Sequence, residues 1–155
     1  MIGEAEPGSP MVHEEAVVLY GRAFTFRFYD RPDLQRVEVE ILEGSGAQAR
    51  RYVRVRVRGR TTDEARDRAV DVLHHHAGLD RYLALVQRAV DRLAPGSRLD
   101  VSENAREIQV DLRGPWALDP PLILVREDAV DPERTDEELT AFIEAHLRAY
   151  LHWQG

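Results

Sequence analysis

The chain has 155 residues and no cysteine; its 21 basic residues are all arginine, against 28 acidic ones, and the net charge is −7. Without cysteine there is no disulfide scaffold, cysteine-held zinc, iron–sulfur cluster or thiol nucleophile, and without lysine no Schiff base, lysine-anchored pyridoxal phosphate or P-loop lysine. The acidic balance argues against a general nucleic-acid coat, no apolar run reaches the roughly 20 residues of a membrane helix, and no basic-then-apolar leader opens the chain, so the expectation is a cytoplasmic protein.

Residues 1–14 are acidic and rich in Pro and Gly, and read as a flexible arm; Met11 is a second candidate start. Residues 15–155 then read as a single domain, long enough to bury a core of its own. The first strand is expected from about Ala16 to Tyr29, with Phe24, Phe26 and Phe28 alternating with Thr25, Arg27 and Tyr29, and Gly21 as a bulge or bend. Asp30-Arg31-Pro32-Asp33 is a turn. A second strand spans about Gln35 to Glu43, and Gly44-Ser45-Gly46 a hairpin loop.

The segment from Arg50 to Arg60 alternates without a slip, Val53, Val55 and Val57 against Arg54, Arg56 and Arg58. A period of two is the pattern of a half-buried strand. Its upstream neighbour matches it, with Val37, Val39 and Ile41 on one face and Glu38 and Glu40 on the other. A hairpin would merge the valines into a core face and pair the charges on an outer face.

Thr61 and Glu64 have capping-box spacing and open a helix. Ala65, Ala69, Val72, Leu73 and His76 form its stripe, and Gly78 is its expected stop. A second helix runs from about Asp80 to Leu93, ended by Ala94-Pro95-Gly96. Leu99 and Val101, then Ile108, Val110 and Leu112, alternate with polar residues as a second hairpin. Leu122-Ile123-Leu124-Val125 is a continuous apolar run, expected buried on both faces. Glu127 to Glu133 reads as an acidic loop. Thr135 to Glu138 repeats the capping box before a last helix that ends near His152, with Leu139, Phe142, Ile143, His146, Leu147, Tyr150 and Leu151 as its stripe. The order βββ-αα-βββ-α predicts an α+β fold, a two-layer sandwich of antiparallel sheet and helices.

Few residues point to chemistry. His74-His75-His76 cannot converge on one ion, because adjacent helical residues point about 100° apart. Asp71 and His75, at i and i+4, are the better metal candidates but supply two ligands at most, and the plainer reading is a core-edge histidine beside two solvated ones. Neither a metal nor a cofactor is therefore expected. Acid pairs at Asp63-Glu64 and Asp136-Glu137-Glu138 are explained as helix N-terminal charges. No nucleophile elbow, glycine-rich phosphate loop or HExxH motif is present.

Three functions remain open. The first is a non-catalytic protein-binding or self-assembling module, with an edge strand or the last helix as its surface and Trp116, Tyr150 and Trp153 as anchors. The second is nucleic-acid binding through Arg54, Arg56 and Arg58, against which stands their pairing with Glu38 and Glu40. The third is an enzyme with an Asp/His/Arg site that spacing does not reveal.

Overall fold

The computed structural model describes residues 10–155, so the expected arm over residues 1–9 lies outside the described residues. The fold is α+β, with antiparallel sheets layered against helices. The chain divides into two compact units, one reaching to Ala77 and one from Gly78 to Gly155. Each closes its own apolar cluster.

The first unit is an antiparallel meander, β1 (Met11–Leu19), β2 (Arg22–Arg31) and β3 (Arg36–Glu43), edged by β4 (Arg50–Arg51) and β5 (Val57–Gly59). The single strand expected from Ala16 to Tyr29 is a hairpin. Tyr20 and Gly21 both have positive φ, 53° and 74°, which is the two-residue turn whose twist matches its flanking strands. Gly21 is thus the turn itself and not a bulge. The hairpin also draws Met11 to Glu14, expected in the arm, into β1, where Met11 registers with Tyr29. Glu14 binds Arg27 at 2.8 Å. Glu15 accepts from Arg66 at 2.9 Å, and that guanidinium holds its carboxyl below the usual carboxylate range.

The core of this unit is Phe24, Phe26 and Phe28 of β2 with Val39 and Ile41 of β3, packed on Ala65, Ala69, Leu73 and Ala77 of helix α1 (Thr62–Leu93). The alanines at 65, 69 and 77 in this i, i+4 row let the sheet approach closely, and Leu73 fills the space between them. Closest is Gly59, where a Cβ would stand 2.4 Å from the backbone nitrogen of Ala65. Thr61 caps α1 by accepting from the Glu64 amide at 3.1 Å.

The helix does not stop at Gly78: α1 is continuous for 32 residues. A glycine inside a helix costs only about 1 kcal/mol against alanine, and no proline follows until Pro95. Burial of Tyr82, Val86, Ala89 and Val90 beyond it outweighs that cost. The core stripe falls at 65, 69, 73 and 77, so His76, expected within it, is exposed.

The second unit carries a three-stranded sheet of β6 (Arg98–Glu103), β7 (Glu107–Arg113) and β9 (Leu122–Val125), in the order β6-β7-β9. A smaller pair joins β8 (Trp116–Leu118) to β10 (Leu151–Trp153). Ile108, Val110, Leu112, Leu122 and Leu124 close the core with Leu139, Ile143 and Leu147 of helix α3 (Asp136–Tyr150). The run Leu122–Val125 is buried on one face only, since Ile123 and Val125 are exposed. The expected acidic loop contains a short helix, α2 (Arg126–Val130). Arg81 fastens this segment by donating to the carbonyls of Ala129, Asp131 and Arg134. The expected capping box at Thr135 and Glu138 is present in full. The last helix ends at Tyr150, and the residues beyond it are strand.

Candidate functional site

The arginine segment is not one strand. β4 pairs Arg51 with Leu42, and β5 pairs Val57 with Val39. Along that stretch β3 advances three residues while its partner advances six. The surplus forms an arch from Tyr52 to Arg56, tied back by the Tyr52 amide donating to Ile41 at 2.9 Å. The alternation therefore breaks. Val53 and Val57 pack on the core, whereas Val55 is 66% exposed.

Beneath the arginines the outer sheet face is closed. Glu38 and Glu40 are each 5% exposed. Arg36 binds Glu38 at 2.8 Å, Arg56 binds it at 3.3 Å, and Arg31 stands at 3.8 Å. Arg51 lies 3.8 Å from Glu40, and the Tyr29 hydroxyl donates to Glu40 at 3.1 Å. The Arg56 guanidinium lies 3.9 Å from the centre of the Tyr29 ring. Desolvation, and then the Glu40 carboxylate, push the Tyr29 phenol above its ordinary value. Of the three arginines expected to form one basic row, Arg56 is thus engaged with Glu38. Arg54 and Arg58, with Arg50 and Arg60, are exposed and make no side-chain ion pair among the described residues. They do not share a continuous strand, so the regular spacing of a phosphate ladder is absent. Tyr29, which the alternation places opposite the phenylalanines on the outer face, is buried.

The other anchors converge. Trp116 and Trp153 lie 37 positions apart in the chain but are register partners across β8 and β10. Their rings meet edge-to-face, with centroids 5.2 Å apart, and Trp153 is 63% exposed. The ring of Tyr150, the last residue of α3, lies tilted against that of His146, centroids 4.7 Å apart, and His146 donates to the Pro120 carbonyl at 2.8 Å. Phe142, one turn before His146, is 37% exposed. Phe142, His146 and Tyr150 form one ridge at i, i+4 and i+8, and β10 continues it to Trp153. The sequence stripe placed Phe142 and Tyr150 in the core. Leu139, Ile143 and Leu147, all fully buried, mark the true centre of that face; Phe142 falls to its edge, and Tyr150, in line with Ile143, is exposed at the last position of the helix.

No protein-family model, curated protein or solved structure matches the chain.

Chemistry is sparse elsewhere. Among the described residues no group of three or more His, Asp or Glu is arranged to hold a metal ion. Asp71 is exposed and His75 half-buried with its ring against His76 at 5.5 Å, so the proposed pair gains no third ligand. A surface groove of about 450 Å³ between the second half of α1 and α3 is lined by Leu85, Arg88, Asp136, Thr140, Ala141 and Glu144, with no histidine or buried nucleophile. Asp63 pairs with Arg66, and Glu138 completes the Thr135 cap, so these acids have structural work. Among the described residues no helix is long and apolar enough to cross a membrane.

Proposed function

We propose that this chain is a non-catalytic binding and assembly module, cytoplasmic and free of cofactor, whose contact surface is the outer face of α3 and the aromatic corner that follows it. The observation that carries the reading is the ridge Phe142, His146, Tyr150, continued to Trp153. Large exposed aromatics in series on one rigid element are the usual anchors of protein interfaces. Removing apolar surface from water is worth about 25 cal/mol per Å², so three such side chains left in water favour a partner. The pairing of Glu38 with Arg36 and Arg56 supports this reading over the nucleic-acid one, because it takes charge away from the basic segment.

The test is a pull-down from native lysate at low and high salt, with nuclease-treated controls, comparing wild type with a Phe142→Ser, Tyr150→Ser, Trp153→Ser variant. It is run beside sedimentation of the purified protein. A stoichiometric partner, or a concentration-dependent mass, that survives high salt and is lost in the variant is the expected result. Nucleic acid retained only at low salt and lost on Arg54→Glu with Arg58→Glu would move the function to the arch. A monomeric, empty bait at both salts would overturn the module reading and turn attention to substrate screening.

A further inference from the structure

We infer that the arginine segment pairs with β3 in two registers, and that the arch is the resting form of a strand able to slip by three residues and straighten. The inference stands apart from the α3 surface and rests on the pairing of β4 and β5. β4 sets odd-numbered Arg51 beside even-numbered Leu42, whereas β5 sets even beside even, Arg58 beside Glu38. A slip of an odd number of residues exchanges the two faces of a strand. Only the β5 register therefore suits the alternation. Carried on past Val57, it sets Arg56 beside Glu40 and Arg54 beside Leu42 on the outer face, and Val55 beside Ile41 on the core face. The β4 register carried on in the same way would set Val53 beside Glu40, on the wrong side. The residues thus suit a straight strand from Val53 to Gly59, of which the chain uses only Val57–Gly59. A local pattern set against its own fold marks a strained or working segment. Here Val55, in the middle of the pattern, is 66% exposed, and among the described residues the amides of Arg54 and Val55 donate to no backbone carbonyl.

Both forms use one acceptor. Along β3, alternate residues face its two neighbours. The Gly44 amide donates to Ala23 of β2, so the odd positions turn to the arginine segment. There the Ile41 carbonyl accepts from the Tyr52 amide at 2.9 Å and the Val53 amide at 3.4 Å. In the straight register the same carbonyl takes the Val55 amide, so the slip exchanges donors on one oxygen and leaves it bonded in either form. The slack is at hand. Residues 44–49 join Glu43 to Arg50, and straightening lengthens that loop to 44–52. Gly44 and Gly46 both have positive φ, and the cost of closing a loop grows only with the logarithm of its length. On the core side one contact replaces another: the Tyr52 ring, 5.1 Å from that of Phe24, leaves with the loop, and Val55 enters beside Ile41. The slip changes what this sheet edge offers. Arched, it presents Arg54 and Val55; straight, it withdraws Val55 and releases Tyr52 with Arg50 and Arg51. Whatever binds one form better draws the strand into it.

The chain has no cysteine, so paired cysteines report register without background. Leu42 is the common partner, beside Arg51 in the arch and beside Arg54 in the straight strand. Under mild oxidation of the full-length protein, Leu42→Cys with Arg51→Cys is expected to link most readily. Leu42→Cys with Arg54→Cys should link more slowly, yet at least ten-fold faster than Leu42→Cys with Arg58→Cys, which neither register brings together. Adding Val55→Asp, which resists burial beside Ile41, should slow the Arg54 link at least ten-fold and leave the Arg51 link unchanged. Glu43→Cys with Arg50→Cys, against Glu43→Cys with Val53→Cys, asks the same question without touching buried Leu42. Amide exchange is the second readout: linking through position 54 should slow exchange at Val55 at least ten-fold and speed it at Tyr52, and linking through position 51 should do neither. A straight-register pair no faster than the control, a link indifferent to Val55→Asp, or a linked protein whose Val55 amide exchanges as in wild type would each show a single register and overturn the inference.

Discussion

The outer face of the first sheet and the outer surface of the second unit depart from the hydrophobic-in, polar-out rule in opposite directions. On β2 and β3, residues that alternation assigns to solvent are buried: Thr25, Tyr29, Glu38 and Glu40 are each 5% exposed or less. On β9 and α3, residues that apolar character assigns to the core are exposed: Ile123, Val125, Phe142 and Tyr150. The first departure has an intramolecular cause, since Arg31, Arg36 and Arg56 pair with Glu38, and Arg51 and the Tyr29 hydroxyl face Glu40. The second has none among the described residues, and the proposed contact surface rests on these exposed apolar side chains. A charged residue buried by its own chain thus speaks of folding, and an apolar residue left outside speaks of partners.

The comparison breaks first at Glu38. Its carboxylate lies among Arg31, Arg36 and Arg56, so Glu38→Ala removes from beneath these partly buried guanidinium groups the carboxylate that they share. The expected loss is about 3–5 kcal/mol in urea unfolding. A loss below about 1 kcal/mol would mean a solvated surface ladder, as the alternation alone suggests. Next comes Gly59→Ala, which drives a methyl group into the Ala65 backbone at the start of α1 and should cost about 1–3 kcal/mol. An unchanged midpoint would show that β5 is not seated on the helix.

Tyr29→Phe removes the donor to buried Glu40 and should cost about 1–2 kcal/mol. It also sharpens the pH dependence. The folded phenol titrates above its unfolded value near 10, so the fold favours the neutral form. That contribution is complete below about pH 10 and is lost as pH rises through and above it, so the wild type should lose stability there faster than Tyr29→Phe. Parallel loss in the two proteins would show that the phenol is not held by the fold. Smallest is Ile123→Thr on the exposed face of β9, expected within about 0.5 kcal/mol of wild type by thermal and urea unfolding. A larger loss would mean that this face is covered in the folded chain.

Local patterns in the sequence carry much of this fold. Phe24, Phe26 and Phe28 point inward as their spacing requires, Ile108, Val110 and Leu112 do the same, and the capping box before α3 forms as read. What escaped is non-local. Perfect alternation from Val53 to Arg58 states which face each residue would take if the backbone were extended. It does not state whether pairing with β3 leaves three residues over. Tyr20-Gly21 is a hairpin turn only because β1 has β2 to pair with. Gly78 is a stop signal that burial overrides. At the candidate surface, the sequence marks Trp116 and Trp153 singly, but their meeting depends on β8 and β10 joining across 37 positions, which spacing does not encode. The sequence gives the number of arginines as charges directly. Their partition into buried and free depends on the arch.

Those two tryptophans are the whole tryptophan content of the chain, and both stand in one corner of the second unit. Emission excited at the red edge of the absorption band therefore reports β8 and β10 and is blind to the first sheet, whereas far-UV ellipticity averages over every helix and strand. Recording both signals through one denaturant titration separates the melting of that corner from the melting of the rest. Coincident curves mean that the two units lose their structure in one cooperative step, and displaced curves mean that they come apart in sequence.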